Sequence, residues 1–212
     1  MSAVETLARY FGFAPEVATE QVPLPIWKVV AYSVAIVAVF FAGTVLESRV
    51  RSTGVSEAIG AIPVLICAVL VLRLPPAAPI RVRWGWRTVL LALPFLFLFL
   101  ADYSFPGFAA SQASVWTIVI VQTLGIAVGE ELTFRFALHR LWVTYSALFY
   151  VLGSATIFAV LHSPLGLQVS ILSGVIGAAF AASRAAGMPL LFLIILHAFF
   201  DLPAVYRSSI TV

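Results

Sequence analysis

The chain has 212 residues, 62% hydrophobic and 10% charged, with a formal net charge of +3 and a mean hydropathy of +1.09. Soluble domains average roughly 45–50% apolar and about 25% charged, so this composition excludes one soluble core. The arginines are scattered at expected helix ends, which fits lipid headgroups and excludes a nucleic-acid face. What remains is an all-α polytopic membrane bundle, read as one membrane domain over 1–212.

Taken in chain order, residues 1–25 hold acids, Pro15 and no continuous apolar core, so no cleavable signal peptide is expected. Val4, Leu7, Ala8 and Phe11 fall at helical spacing, which predicts an N-terminal interfacial helix. Six or seven spans follow. Accessory spans fill 27–110: the first at about 27–46, the second at about 56–73, and a short third at about 88–101 with Pro94 inside it. The core over 114–205 holds the fourth at about 114–142, the fifth at 145–162, the sixth at 165–186 and the seventh at 188–205. Pro164, Gly187 and Pro189 punctuate the last joints. The loop with Arg73, Arg81, Arg83 and Arg87 carries no acid and is expected to be cytoplasmic, whereas that at 102–113 is expected outside. The single cysteine, Cys67, lies in an apolar run and reads as a small hydrophobe.

Small residues recur four apart: Gly125 and Gly129; Ser173, Gly177 and Ala181; Gly174, Ala178 and Ala182. Such stripes let helix backbones approach closely in lipid, and place the fourth and sixth spans inside the bundle.

Ionisable residues inside spans are rare and costly. Here they are Glu130, Glu131, Arg135, His139, His162, Arg184, His197 and Asp201. Glu131 and Arg135 are four apart with the acid first, the favoured order for an ion pair on one helix face. They read as a structural pair, whose mutual attraction offsets much of its desolvation. Glu130 points about 100° away around the helix and has no base three or four residues on, so it is the free carboxylate and the candidate general base. His162 ends the fifth span, with Phe158 on the same face to wall its ring. His197 and Asp201 are again four apart, a spacing at which the acid can fix an imidazole's tautomer. His139 reads as a structural residue near a helix end, and Arg184 as a snorkelling anchor. At about 1.5 Å per residue, Glu130 sits about 18 Å, His162 about 25 Å and His197 about 14 Å from the expected cytoplasmic ends, so the three can converge near mid-membrane.

These residues resemble a known family. GEELTFR (129–135) is similar to an EExxxR motif, FAVLH (158–162) to FxxxH and HAFFD (197–201) to HxxxN/D, in that order on successive late spans. The ordered set resembles the CPBP intramembrane proteases, which include the CAAX-processing Rce1-type endopeptidases and the bacterial Abi proteins. The resemblance covers about 115–205. It implies a glutamic-type peptidase that hydrolyses a peptide bond of a membrane-anchored or lipidated substrate in a water-filled cavity. It implies that Glu130 with His162 activates water, and that His197 and the residue at 201 support the oxyanion. The family usually has Asn there. An ionised Asp201 cannot donate a hydrogen bond, so it is either protonated or acts by orienting His197.

No cofactor is expected. The alternative is a zinc ion held by Glu130, His162 and His197; against it, no second partner for His162 is visible in the sequence. Two other function classes compete. A proton-coupled transporter would also place Glu and His inside spans, but the chain has no internal repeat. A non-catalytic scaffold or immunity factor would leave Glu130, His162 and His197 unexplained. The compact size fits, by analogy, a multi-pass protein of a prokaryotic inner membrane.

Overall fold

A computed structural model of the protein describes residues 24–49, 113–143 and 145–210. The expected second and third spans, the loops beside them, Cys67 and nearly all of the expected interfacial helix lie outside the described residues. Within them the chain is all-helical. Helix α1 spans Ile26–Arg49. Helix α2, Ala113–Glu131, runs on through a π-helical stretch, Leu132–Leu138, into the short α3, His139–Trp142. Then come α4, Ala147–His162, a 3₁₀ turn at Ser163–Leu165, α5, Leu167–Ala185, and α6, Leu190–Ile210.

Local chemistry sets these boundaries. Ser146 is extended and its hydroxyl accepts from the Phe149 amide, capping α4. Pro164 opens the 3₁₀ turn, and Gly166, at φ +110°, turns the chain into α5. Helix α5 ends in a Schellman turn: the Met188 amide donates to Ser183 O at 3.0 Å and the Gly187 amide to Arg184 O at 2.9 Å. That turn needs the left-handed φ of +97° at Gly187. Pro203 lies inside α6, two residues past Asp201.

The π-helical stretch is the hub of the packing. Phe136 and Ala137 join Val29 and Ile36 of α1, Ala127 of α2, and Leu190 and Ile194 of α6 in one cluster. Phe134 and Leu138 face the other way, onto Tyr150 and Phe158 of α4 and Ala181 of α5. A helix segment buried on every side is a core element, and Thr133–Leu138 are all buried. Helix α5 packs on α4 through its small stripe: a methyl group at Gly177 would stand 3.1 Å from Phe158 Cδ1, and one at Gly174 would stand 3.0 Å from Ala159 Cβ. Ser170 then donates across the same interface to Ala159 O at 2.7 Å. Gly125 differs, since among the described residues nothing lies within 4 Å of a methyl placed there.

The polarity is inside out. Leu148, Leu152, Val160, Leu172 and Val175 are exposed on α4 and α5, while Glu131, Arg135 and Arg184 are fully buried. Water would favour the reverse arrangement; lipid favours this one. Two described helices, Ala147–Leu165 and Leu167–Ala185, are long and apolar enough to cross a membrane, and Ile26–Ala42 and Leu190–Pro203 are apolar but shorter. Hydroxyls within the bundle bond backwards to carbonyls, as Thr133 does to Gly129 O at 2.8 Å and Thr123 to Val119 O at 2.6 Å.

Candidate active site

Helices α2 and α6 pack together, which brings the two glutamates onto the imidazole of His197. The two ring nitrogens are held differently. Nδ1 lies 2.7 Å from Glu131 Oε1, a tight hydrogen bond in which the ring donates to the carboxylate. Nε2 lies 3.4 Å from Glu130 Oε2 and 3.3 Å from Asp201 Oδ2, both beyond a good hydrogen bond. Nδ1 therefore fixes the ring, and Nε2 is the nitrogen able to change partner.

Glu131 is fixed in turn by Arg135, whose Nη1 is 3.2 Å from the same oxygen. The guanidinium stands among the rings of Phe134, Phe158 and Phe180, at 5.5, 5.0 and 5.2 Å, contacts worth about 0.5–2 kcal/mol each when desolvated. Its Nη2 donates to Gly177 O at 3.4 Å. The expected Glu131–Arg135 pair is thus present, but it also orients a histidine on another helix. Sequence reading missed that: the partners are 66 positions apart, and no spacing announces the contact.

Exposure separates the two glutamates. Glu131 is sealed at 0%, whereas Glu130 is 14% and Asp201 24% accessible. Glu130 and Asp201 thus lie at the open edge of the cluster, and Glu131 does not. The expectation that Asp201 orients His197 is altered accordingly. It sits beside Nε2, on the open side, while Glu131 holds the orienting position at Nδ1.

His162 is not in contact with His197. Its ring packs on Phe158 at 4.5 Å between centroids, and Phe158 stands 6.3 Å from the His197 ring, so one phenyl borders both imidazoles. His162 lies within electrostatic range of Glu130. Its Nδ1 bonds Phe158 O at 2.8 Å, and since a carbonyl only accepts, Nδ1 carries the proton and Nε2 the lone pair. This supplies the second partner not visible in the sequence, and removes that argument against zinc. Among the described residues no three His, Cys, Asp or Glu side chains are arranged to hold a metal ion, and the set Glu130, His162 and His197 does not fit one as placed.

One further residue departs from expectation. Arg184, expected to snorkel to headgroups, is fully buried and donates to backbone carbonyls of Arg135 and Met188. His139 is buried edge-on against Tyr150 at 4.7 Å. Phe180 was not singled out, yet its ring lies 5.3 Å from that of His197 and 5.2 Å from the Arg135 guanidinium. Its place in an apolar stretch of α5 gave no signal.

In chemical terms the cluster holds three carboxyls, one guanidinium and one imidazole in a largely closed space. Such a set can share and move protons, and Glu130 is its partly accessible glutamate beside a ring nitrogen.

Residues 112–203 match the family model described as Type II CAAX prenyl endopeptidase Rce1-like. The matched segment carries all three motifs and every residue of the cluster. The family is membrane-embedded and, at family level, consists of CAAX-type intramembrane endopeptidases with protein substrates. No curated protein and no solved structure matches the chain.

Proposed function

We propose that this chain, which belongs through residues 112–203 to the Rce1-like family, is an intramembrane endopeptidase acting on membrane-anchored or lipidated peptide tails. It is a single domain of six or seven spans, set in a prokaryotic inner membrane, with its catalytic core over 114–205. The observation that carries this reading is the unequal pair of glutamates. Glu131 is sealed and holds His197, while Glu130 is partly accessible and faces the His197 Nε2. A purely structural carboxylate cluster has no use for that asymmetry.

In the reaction, Glu130 takes a proton from water, and the His162 lone pair at Nε2 helps orient that water. The water oxygen attacks the scissile carbonyl. Its oxygen becomes an oxyanion, which accepts from the Nε2–H of His197, a ring that carries a proton on both nitrogens because its Nδ1–H already donates to Glu131. Collapse of the tetrahedral species breaks the C–N bond, and Glu130 returns its proton to the leaving amine. Glu131 keeps the ring aimed throughout. The test is mass spectrometry of a lipidated tail peptide incubated with the purified protein in liposomes. A new pair of fragments supports the reading. Proton-coupled uptake into the liposomes without cleavage would favour the transporter class.

No metal takes part in this scheme. Exhaustive chelation is therefore expected to leave cleavage unchanged, with no stoichiometric zinc by elemental analysis. Loss of activity on chelation, restored by zinc alone, would recast Glu130, His162 and His197 as ligands.

Asp201 supports the oxyanion through His197, whose Nε2 it flanks at 3.3 Å. Asp201→Asn is expected to keep or raise turnover, because the amide can donate where the carboxylate cannot. Asp201→Ala is expected to lower kcat about 10²-fold, the scale of losing one group at an oxyanion. Initial rates, with thermal stability as the folding control, decide the point. A folded but inactive Asn variant would mean that the negative charge itself is required.

A further inference from the structure

Arg184 is a buried charge that the reaction above does not use. It sits in the last turn of α5 and is fully buried. Its Nε donates to Arg135 O at 3.3 Å, and its Nη1 donates to Met188 O at 2.7 Å. These two carbonyls belong to different parts of the site. Arg135 lies in the π-helical stretch directly after the glutamates, and its own side chain holds Glu131. Met188 closes the Schellman turn and leads into α6, which carries His197 and Asp201. One rigid guanidinium therefore ties the backbone behind Glu130 and Glu131 to the backbone ahead of His197.

The chemistry favours arginine for this task. Its donors diverge in a fixed plane, so both carbonyls are reached at a set separation, whereas a lysine ammonium is a point donor on a flexible stem. A carbonyl has two lone pairs and can take an outside donor besides its helical one. π-Helical turns often mark functional sites and need support, because they interrupt the regular ladder. The left-handed Gly187 supplies the other half, turning the chain so that Met188 O comes back to its donor in α5.

We infer that Arg184 is a positioning residue: it fixes the distance between the segment bearing Glu130 and Glu131 and the helix bearing His197. That these groups act on a peptide rests on the peptidase reading; the clamp itself rests on the two hydrogen bonds.

The test uses the full-length protein in liposomes with Arg184→Lys and Arg184→Gln. Two signals are read beside thermal stability: kcat and KM on a cleaved tail peptide, and the imidazole Nδ1–H resonance of nitrogen-15-labelled His197. A displaced clamp is expected to lower kcat about 10²-fold in the Lys variant, the scale of an ångström-level misplacement, with KM little changed. The downfield Nδ1–H signal of the His197–Glu131 hydrogen bond is expected to shift or vanish. The Gln variant, which can reach one carbonyl at most, is expected to follow in the same direction. A Lys or Gln variant with lowered melting temperature but unaltered kcat and His197 resonance overturns the proposal, since that is the behaviour of a residue needed for packing alone. If the wild-type protein cleaves no peptide, the peptidase reading falls. The resonance still decides the clamp, supported by a changed signal and refuted by an unchanged one.

Discussion

Glu130→Gln is expected to abolish turnover while leaving the fold intact. The amide keeps the size of the side chain and has no proton-accepting oxygen of useful basicity, so the step that activates water is lost. Glu130 is partly accessible and its contact with His197 is long, so little stabilisation goes with the charge. The expected result is a melting temperature within a few degrees of wild type and a loss of about 10⁴-fold or more in kcat, general-base catalysis and water positioning both being removed. Rates under saturating peptide, beside thermal unfolding in the same detergent, provide the check. A Glu130→Gln protein that still cleaves would remove Glu130 from the chemistry.

Glu131→Gln is expected to fail in a different way. Its carboxylate is fully buried, pairs with the Arg135 charge at 3.2 Å and accepts from His197 Nδ1 at 2.7 Å. Removing one partner of a buried pair strands the other, at a cost of about 3–5 kcal/mol. Yield and melting temperature should fall together. What does fold should also be slow, because an amide can offer His197 a donor where the ring needs an acceptor. A misoriented ring of this kind is worth up to about 10⁴-fold in kcat, the scale of losing an orienting carboxylate. The double variant Glu131→Gln/Arg135→Met separates the effects. Removing the stranded charge should restore much of the stability and none of the turnover. A Glu131→Gln protein as stable and as active as wild type would contradict both roles.

The sequence carried the local part of this site and not the part between helices. Spacings of four gave the Glu131–Arg135 pair and put His197 with Asp201, because one helical turn brings such residues together. The same periodicity, with Gly187 and Pro189 as punctuation, placed α4, α5 and α6 to within a few residues. It could not say which glutamate meets His197, since that is decided by how α2 and α6 pack. It gave no sign of the π-helical stretch either: Leu132–Leu138 has ordinary helix composition, and its widened turn is held by packing from three sides. Arg184 was misread for the same reason. A basic residue at a helix end usually reaches for headgroups, but here the turn after α5 folds back and supplies carbonyls. Small residues were a better guide. The stripe through Gly174 and Gly177 does meet α4, and Gly177 lets Phe158 come close enough to border both imidazoles.

The central claim is that Glu130 activates a water molecule that itself attacks the peptide bond. The measurement closest to that claim is a single-turnover cleavage in oxygen-18 water, with protein in excess over a lipidated tail peptide and the fragments weighed by mass spectrometry. Direct attack predicts one oxygen-18 atom in the new carboxyl group on the first turnover, and no fragment at all from Glu130→Gln. A first-turnover carboxyl without the label would mean that a protein oxygen made the bond, as in a covalent glutamyl intermediate. The same labelled fragment from Glu130→Gln would mean that another group activates the water. Either result would contradict the account.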